Sequence, residues 1–121
     1  MLKQEGYALM GAAFEVYNFL GYGMAEEIYQ QSLEIELQRR SIPFASQPTI
    51  EVEYKTIKLQ AFYRPDMLVH SEIVVELKAV AELASEHEAQ LFNYLRICNK
   101  KVGYLINFGH KAELQWKRFV I

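Results

Sequence analysis

Two carboxylates and an ammonium stand close together where Tyr63-Arg64-Pro65-Asp66 is followed by Ile73-Val74-Val75-Glu76-Leu77-Lys78. An Asp at the start of one strand and a Glu on the next can converge on a hard cation, because Mg²⁺ takes oxygen ligands and keeps water and phosphate oxygens in the rest of its shell. Asp66 and Glu76 supply carboxylate oxygens, and the peptide carbonyl of Leu77 could add another. A cation held there polarises a phosphate and acidifies a water, while Lys78 would orient that water or offset charge developing in the transition state. In an extended segment Glu76 and Lys78 project from one face. A same-face Glu and Lys also make an ordinary ion pair, and the spacing alone does not separate the two readings. The apolar run Ile73-Val74-Val75 bears on the choice: charges that follow it do not face open water along the whole strand, and burying them requires a partner or an ion.

The elements that must position these groups are legible in the periodicity. Leu9, Ala13, Val16, Tyr17 and Leu20 make one stripe of a helix over residues 3–20, broken by Gly21-Tyr22-Gly23. A second helix is expected from about Met24 to Arg40, with Glu26 and Glu27 in the first turn and Arg39 and Arg40 in the last, as the helix dipole favours. Pro43 and Pro48 bracket a short connection, and alternation over residues 49–54 and 57–62 predicts a hairpin. Residues 67–69 and 73–79 read as a further strand pair, the second strand central and covered on both faces. Pro65 removes a backbone donor and keeps Arg64 out of the helical region, favouring a strand edge or bulge that aims Asp66 into a cleft. Ser85, with Glu88 three residues on, reads as the cap of a helix reaching about Cys98. Buried and amphipathic strands follow at 102–108 and 113–121. The order α-α-β-β-β-β-α-β-β implies an α/β (α+β) fold with a single mixed sheet flanked by helices.

The chain has 121 residues, about half of them apolar, which suits one domain, 1–121, with one core. A net charge of −2 argues against a protein that coats nucleic acid by general attraction, so any phosphate binding must be local. The single cysteine, Cys98, excludes an internal disulfide and a multi-cysteine zinc site, and it reads as a small core residue. The first residues lack a signal-peptide core and no apolar run is long enough to span a bilayer, so a cytoplasmic setting with no membrane partner is expected.

Two helices carry polar residues on inward stripes. Glu26 heads the stripe Tyr29, Leu33, Leu37, where it could reach a cleft or serve only as a first-turn dipole complement. Gln90, with His87 beside it, heads the stripe Leu91, Tyr94, Leu95, Cys98; Gln90 could be a site residue or a satisfied buried amide, and His87 a structural residue. Arg96, Lys100, Lys101, Lys111, Lys117 and Arg118, with Trp116 among them, could form a phosphate-contacting rim or a solvated surface.

Gly23-Met24-Ala25-Glu26-Glu27-Ile28-Tyr29 resembles the Gly-x-x-Glu-x-x-Tyr signature of the GxxExxY proteins, a bacterial and archaeal family of the PD-(D/E)XK nuclease superfamily. Glu76-Leu77-Lys78-Ala79, Gln90 with Asn93-Tyr94-Leu95, Leu105-Ile106-Asn107-Phe108-Gly109 and Trp116-Lys117-Arg118 resemble that family's later blocks, in order and at similar spacing. The resemblance implies a restriction-endonuclease-like core with Mg²⁺ (or Mn²⁺) at a strand fork. It implies that Asp66, Glu76 and Lys78 form the nuclease motif, with Glu26 and Gln90 as auxiliary acid and amide. The function so implied is hydrolysis of phosphodiester bonds in DNA or RNA, with a homodimer as one way to cut two strands. The alternative is a non-catalytic nucleic-acid- or protein-binding module that keeps the fold.

Overall fold

The computed structural model describes residues 1–121. Its elements run α1 (Lys3–Leu20), α2 (Glu26–Arg39), β1 (Phe44–Ser46), β2 (Ile50–Tyr54), β3 (Ile57–Tyr63), β4 (Met67–Val69), β5 (Ile73–Lys78), α3 (Ser85–Ile97), β6 (Val102–Asn107) and β7 (Gln115–Val120). Five strands form one mixed sheet in the order β1-β4-β5-β6-β7, and β2 and β3 pair separately. Only β5 and β6 run parallel, joined through α3 as a parallel crossover requires. This is a mixed α+β architecture of the restriction-endonuclease-like kind. No helix is long and apolar enough to cross a membrane.

Alternation along β5 decides what lies on each side of the sheet. Ile73, Val75 and Leu77 join Leu9, Ala13, Leu33 and Leu37 in the core beneath α1 and α2. Val74 faces the other way and packs with Leu91, Leu95 and Leu105 beneath α3. Glu76 and Lys78 continue the Val74 register, so they emerge on the α3 side where that smaller core ends. The strand is covered on both faces up to Val75, as its apolar run requires.

Three features depart from the sequence reading. Phe44–Ser46 is not a bare connection but an edge strand, antiparallel to β4 with Phe44 opposite Val69; a strand of three residues is too short to display a period. The α3 cap lies one residue earlier than expected: Ala84 is the N-cap, and its N–H donates to Nδ1 of His87 at 3.1 Å. His87 is therefore structural, and the hydroxyl of Ser85 bonds only Glu86. Gln90 is exposed, because the buried stripe of α3 is Leu91 and Leu95.

The loop leaving β5 is held by a buried amide that the sequence reading did not single out. Asn107, fully buried at the end of β6, accepts from the N–H groups of Val80 and Gly109, each at 3.0 Å. Its Nδ2 donates to the Val80 carbonyl at 2.9 Å and to Oε1 of Gln115 at 3.0 Å. All its hydrogen-bonding capacity is used, as a buried amide requires. Gly109 lies against this loop so closely that a Cβ would overlap backbone atoms of Ala79 and Val80. Gly109→Ala is expected to lower stability by about 1–3 kcal/mol, read as a lower denaturant midpoint; an unchanged midpoint would show that the loop yields freely.

Candidate active site

The site lies where β4 and β5 part. Their ladder ends at Met67 opposite Val75, and beyond it the Asp66 side chain takes over. Asp66 Oδ2 accepts the Leu77 N–H at 2.7 Å, and the Asp66 N–H donates to Glu76 Oε1 at 3.1 Å. Side chain thus replaces backbone at a strand fork, which fixes both carboxylates against one short piece of β5. The N–H and C=O of one strand residue point the same way, so the Leu77 carbonyl opens toward the same gap.

The Asp66 backbone is itself pinned. Its carbonyl accepts from Gln30 Nε2 at 2.8 Å and from the Gln47 N–H at 2.9 Å. Gln30 also donates to Glu34 at 2.8 Å, and Ser46 donates to the same carboxylate oxygen at 2.6 Å. Sequence reading missed Gln30; the one available signal was an amide beside buried Tyr29 on the inward side of α2.

Tyr29 explains the placement of Glu26. Its ring is buried and stacks on Phe108, centroids 4.7 Å apart. Its hydroxyl donates to the Gly21 carbonyl at 2.5 Å and accepts the Met24 N–H at 3.2 Å. That ties the turn before α2, in which Gly23 takes a φ of 99° that favours glycine. Glu26 then begins the helix, and its side chain is exposed rather than buried on the inward stripe. Partial burial, then the negative charge of Asp66, raise its pKa, while Lys78 lowers it. Glu26 therefore feels the charges of Asp66 and Lys78.

Glu76 is the most perturbed carboxylate. Burial and the charge of Asp66 push it up to about 7, against the hydrogen bonds from Tyr63 and Asp66 that favour the anion. Tyr63 donates to Glu76 Oε2 at 2.6 Å, and its ring stacks on Tyr94 of α3, centroids 3.9 Å apart. Burial beside that carboxylate raises the phenol well above its ordinary range, so it stays a donor. Tyr63 is a second residue missed in the sequence; it closes the alternating run of β3 and carries the inward position.

Of the five side chains expected to meet, Asp66 and Glu76 share hydrogen bonds through the backbone, Lys78 follows Glu76 on the same face, and Glu26 is electrostatically linked. Gln90 is not brought in: it lies exposed on α3, one turn before Tyr94, and makes no hydrogen bond to the others. The basic rim also divides. Lys117 points to the α3 side and pairs with Glu88 at 2.9 Å, whereas Trp116 and Arg118 line a cleft on the opposite face.

No three acidic, His or Cys side chains form a complete cation cage. The donors present are hard oxygens in an incomplete set, two carboxylates pressed together with an open carbonyl beside them. That set fits a cation that keeps water in its shell, and a positive charge there would offset the burial and the Asp66 repulsion that raise Glu76.

A pH prediction follows. Glu76 holds its proton to about pH 7 in the fold, against an ordinary value of 4.5. Between these values the unfolded chain has ionised and the folded chain has not, so metal-free stability is fully present below pH 4.5 and falls as pH rises to 7. The loss is on the order of 3 kcal/mol at most. Glu76→Gln removes the titrating group, so in chelator its melting temperature should gain on wild type between pH 5 and pH 8. A parallel pH dependence in both proteins would contradict the assignment.

A family model described as the PD-(D/E)XK nuclease superfamily matches residues 3–119. The chain is also similar to the solved crystal structure of SSO0001, with 18% identity and a TM-score of 0.61, over 78% of this chain and 48% of that one. At that identity the likeness speaks for the fold, and the matched region spans about half of SSO0001. No curated protein matches the chain. With the family match running from the start of α1 almost to the end of β7, this chain belongs to the PD-(D/E)XK nuclease superfamily.

Proposed function

We propose that residues 1–121 act as one domain, a Mg²⁺- or Mn²⁺-dependent nuclease of the GxxExxY type that hydrolyses phosphodiester bonds in DNA or RNA. The observation that carries this reading is the half-buried Asp66 and Glu76 pair at the strand fork, in a superfamily of nucleases, with Glu76 raised by burial and then by the charge of Asp66. Asp66, Glu76 and the Leu77 carbonyl would hold the ion; when bound, it would polarise the scissile phosphate and lower the pKa of a water. Asp66 keeps one carboxylate oxygen on the Leu77 N–H and presents the other to the gap. Tyr63 holds Glu76 in place through its hydroxyl. Lys78, on the same face, donates to the attacking water or to the phosphate oxygens as charge builds.

Glu26, exposed at the start of α2, would orient water or a second cation. Gln90 would reach a phosphate only when substrate extends across α3, since it starts outside the fork. We place the protein in the cytoplasm, and a homodimer would serve two-strand cutting. The test is incubation of the purified protein with single- and double-stranded DNA and RNA in Mg²⁺, Mn²⁺ or chelator. Cleavage confined to the divalent-ion reactions supports the reading. Saturable binding of nucleic acid with no cleavage under any condition would replace it with the non-catalytic module.

A further inference from the structure

On the face of the sheet away from Glu76 and Lys78, α1 and the edge strand β7 enclose a cleft of about 640 Å³. Alternation along β7 sends Trp116 and Arg118 into it, while Lys117 goes to the other face. Three cations line it, Lys3, Arg40 and Arg118, and no acidic side chain does. Arg40 spends its Nε on Glu36 at 2.7 Å, and Arg118 donates through Nη2 to the Met1 carbonyl. The Nε of Arg118 is buried with no hydrogen-bond partner, which costs free energy. The walls are flat and aromatic: Trp116 stacks on Tyr104, centroids 6.0 Å apart with 12° between planes, and Tyr7 of α1 is 83% exposed.

We propose that this cleft is a second ligand site, which takes a nucleotide unit: an aromatic base on the Tyr7 and Trp116 surfaces and a phosphate at the end lined by Arg118 and Lys3. The cleft is mostly apolar, and the only charged residues lining it, Lys3, Arg40 and Arg118, are cations, which selects an anion carrying a planar apolar group; the volume lies within the range of small-ligand sites. Arg118 brings a permanent positive charge to the cleft, its guanidinium fixed by the Nη2 bond to the Met1 carbonyl. The same chemistry comes from a free mononucleotide or from the terminal nucleotide of a strand. The proposal does not rest on the metal-site reading, because the two sites occupy opposite faces of the sheet.

Trp116 is the only tryptophan in the chain, so its fluorescence reports this cleft directly. In chelator, adenosine monophosphate should quench it saturably, with adenosine alone and inorganic phosphate alone roughly tenfold weaker or more. Arg118→Met should weaken the monophosphate by roughly tenfold and leave adenosine unchanged. Tyr7→Ala, at an exposed position that the fold does not need, should weaken both. An octadeoxyadenylate strand binding more tightly than the monophosphate identifies a strand end as the natural source; weaker binding identifies a free nucleotide. Asp66→Asn should leave the quenching intact. The proposal is overturned by absence of quenching up to millimolar ligand, by adenosine binding as tightly as its monophosphate, by no effect of either cleft variant, or by loss of quenching in Asp66→Asn.

Discussion

Asp66→Asn is expected to reduce phosphodiester cleavage by about three orders of magnitude while the protein stays folded. Asn retains an oxygen that can accept the Leu77 N–H, the bond that fastens this side chain to β5. What it removes is one of the two negative charges at the fork. A hard cation held by few protein ligands depends on that charge, and transition-state stabilisation by a bound ion is worth several kcal/mol, at roughly 1.4 kcal/mol per tenfold in rate. Lys78→Ala should produce a loss of similar order by removing the only ammonium on the Glu76 face of β5. Because both act in one constellation, the double variant should be little slower than either single one. Rates are to be measured under single-turnover conditions, with melting curves to establish folding. Wild-type rates in either folded variant would remove the fork from the chemistry.

Asn107→Ala should give the largest loss of stability of any single polar truncation in this chain. The change strands the Val80 N–H and carbonyl, the Gly109 N–H and one acceptor position of Gln115, around a side chain with no solvent exposure. Unmet buried groups cost about 1–3 kcal/mol each, and partial relaxation of the loop brings the expected total to about 3–5 kcal/mol. Against a typical stability of roughly 5–15 kcal/mol that approaches unfolding at physiological temperature. Asn107→Asp should be no better, since a carboxylate oxygen would then face the Val80 carbonyl and Gln115 Oε1. Denaturant unfolding measures both, and a loss below about 1 kcal/mol would show that the loop after β5 is not held by this amide.

Much of this was legible because local pattern and tertiary burial agree. The β5 run reads as central, and it is covered by α1 and α2 on one side and α3 on the other. Gly21 and Gly23 mark the break between α1 and α2, and the hairpin is where alternation puts it, although six of the seven residues of β3 are exposed. The places where reading failed share a cause: the deciding contact is distant in sequence. Nothing near Gln30 foretells its bond to the Asp66 carbonyl, nor anything near Tyr63 its bond to Glu76. Gln90 was misplaced by a short step. It is adjacent to Leu91, and a helix turns about 100° per residue, so a stripe drawn through Leu91, Tyr94 and Leu95 does not carry Gln90 into the core. The six basic residues do not all share one surface for the strand equivalent of that reason, since consecutive residues Lys117 and Arg118 leave β7 on opposite faces.

The central claim is that Asp66 and Glu76 form a divalent-cation site, and titration calorimetry with Mn²⁺ at pH 8 tests it without reference to substrate. Wild-type protein should bind saturably, with Mn²⁺ also raising the melting temperature most at pH 8, where Glu76 is ionised and uncompensated. Asp66→Asn should bind at least roughly tenfold more weakly. Equal Mn²⁺ affinity in the two proteins, or no binding by either, would contradict the claim and leave the paired carboxylates as a structural feature of the fork.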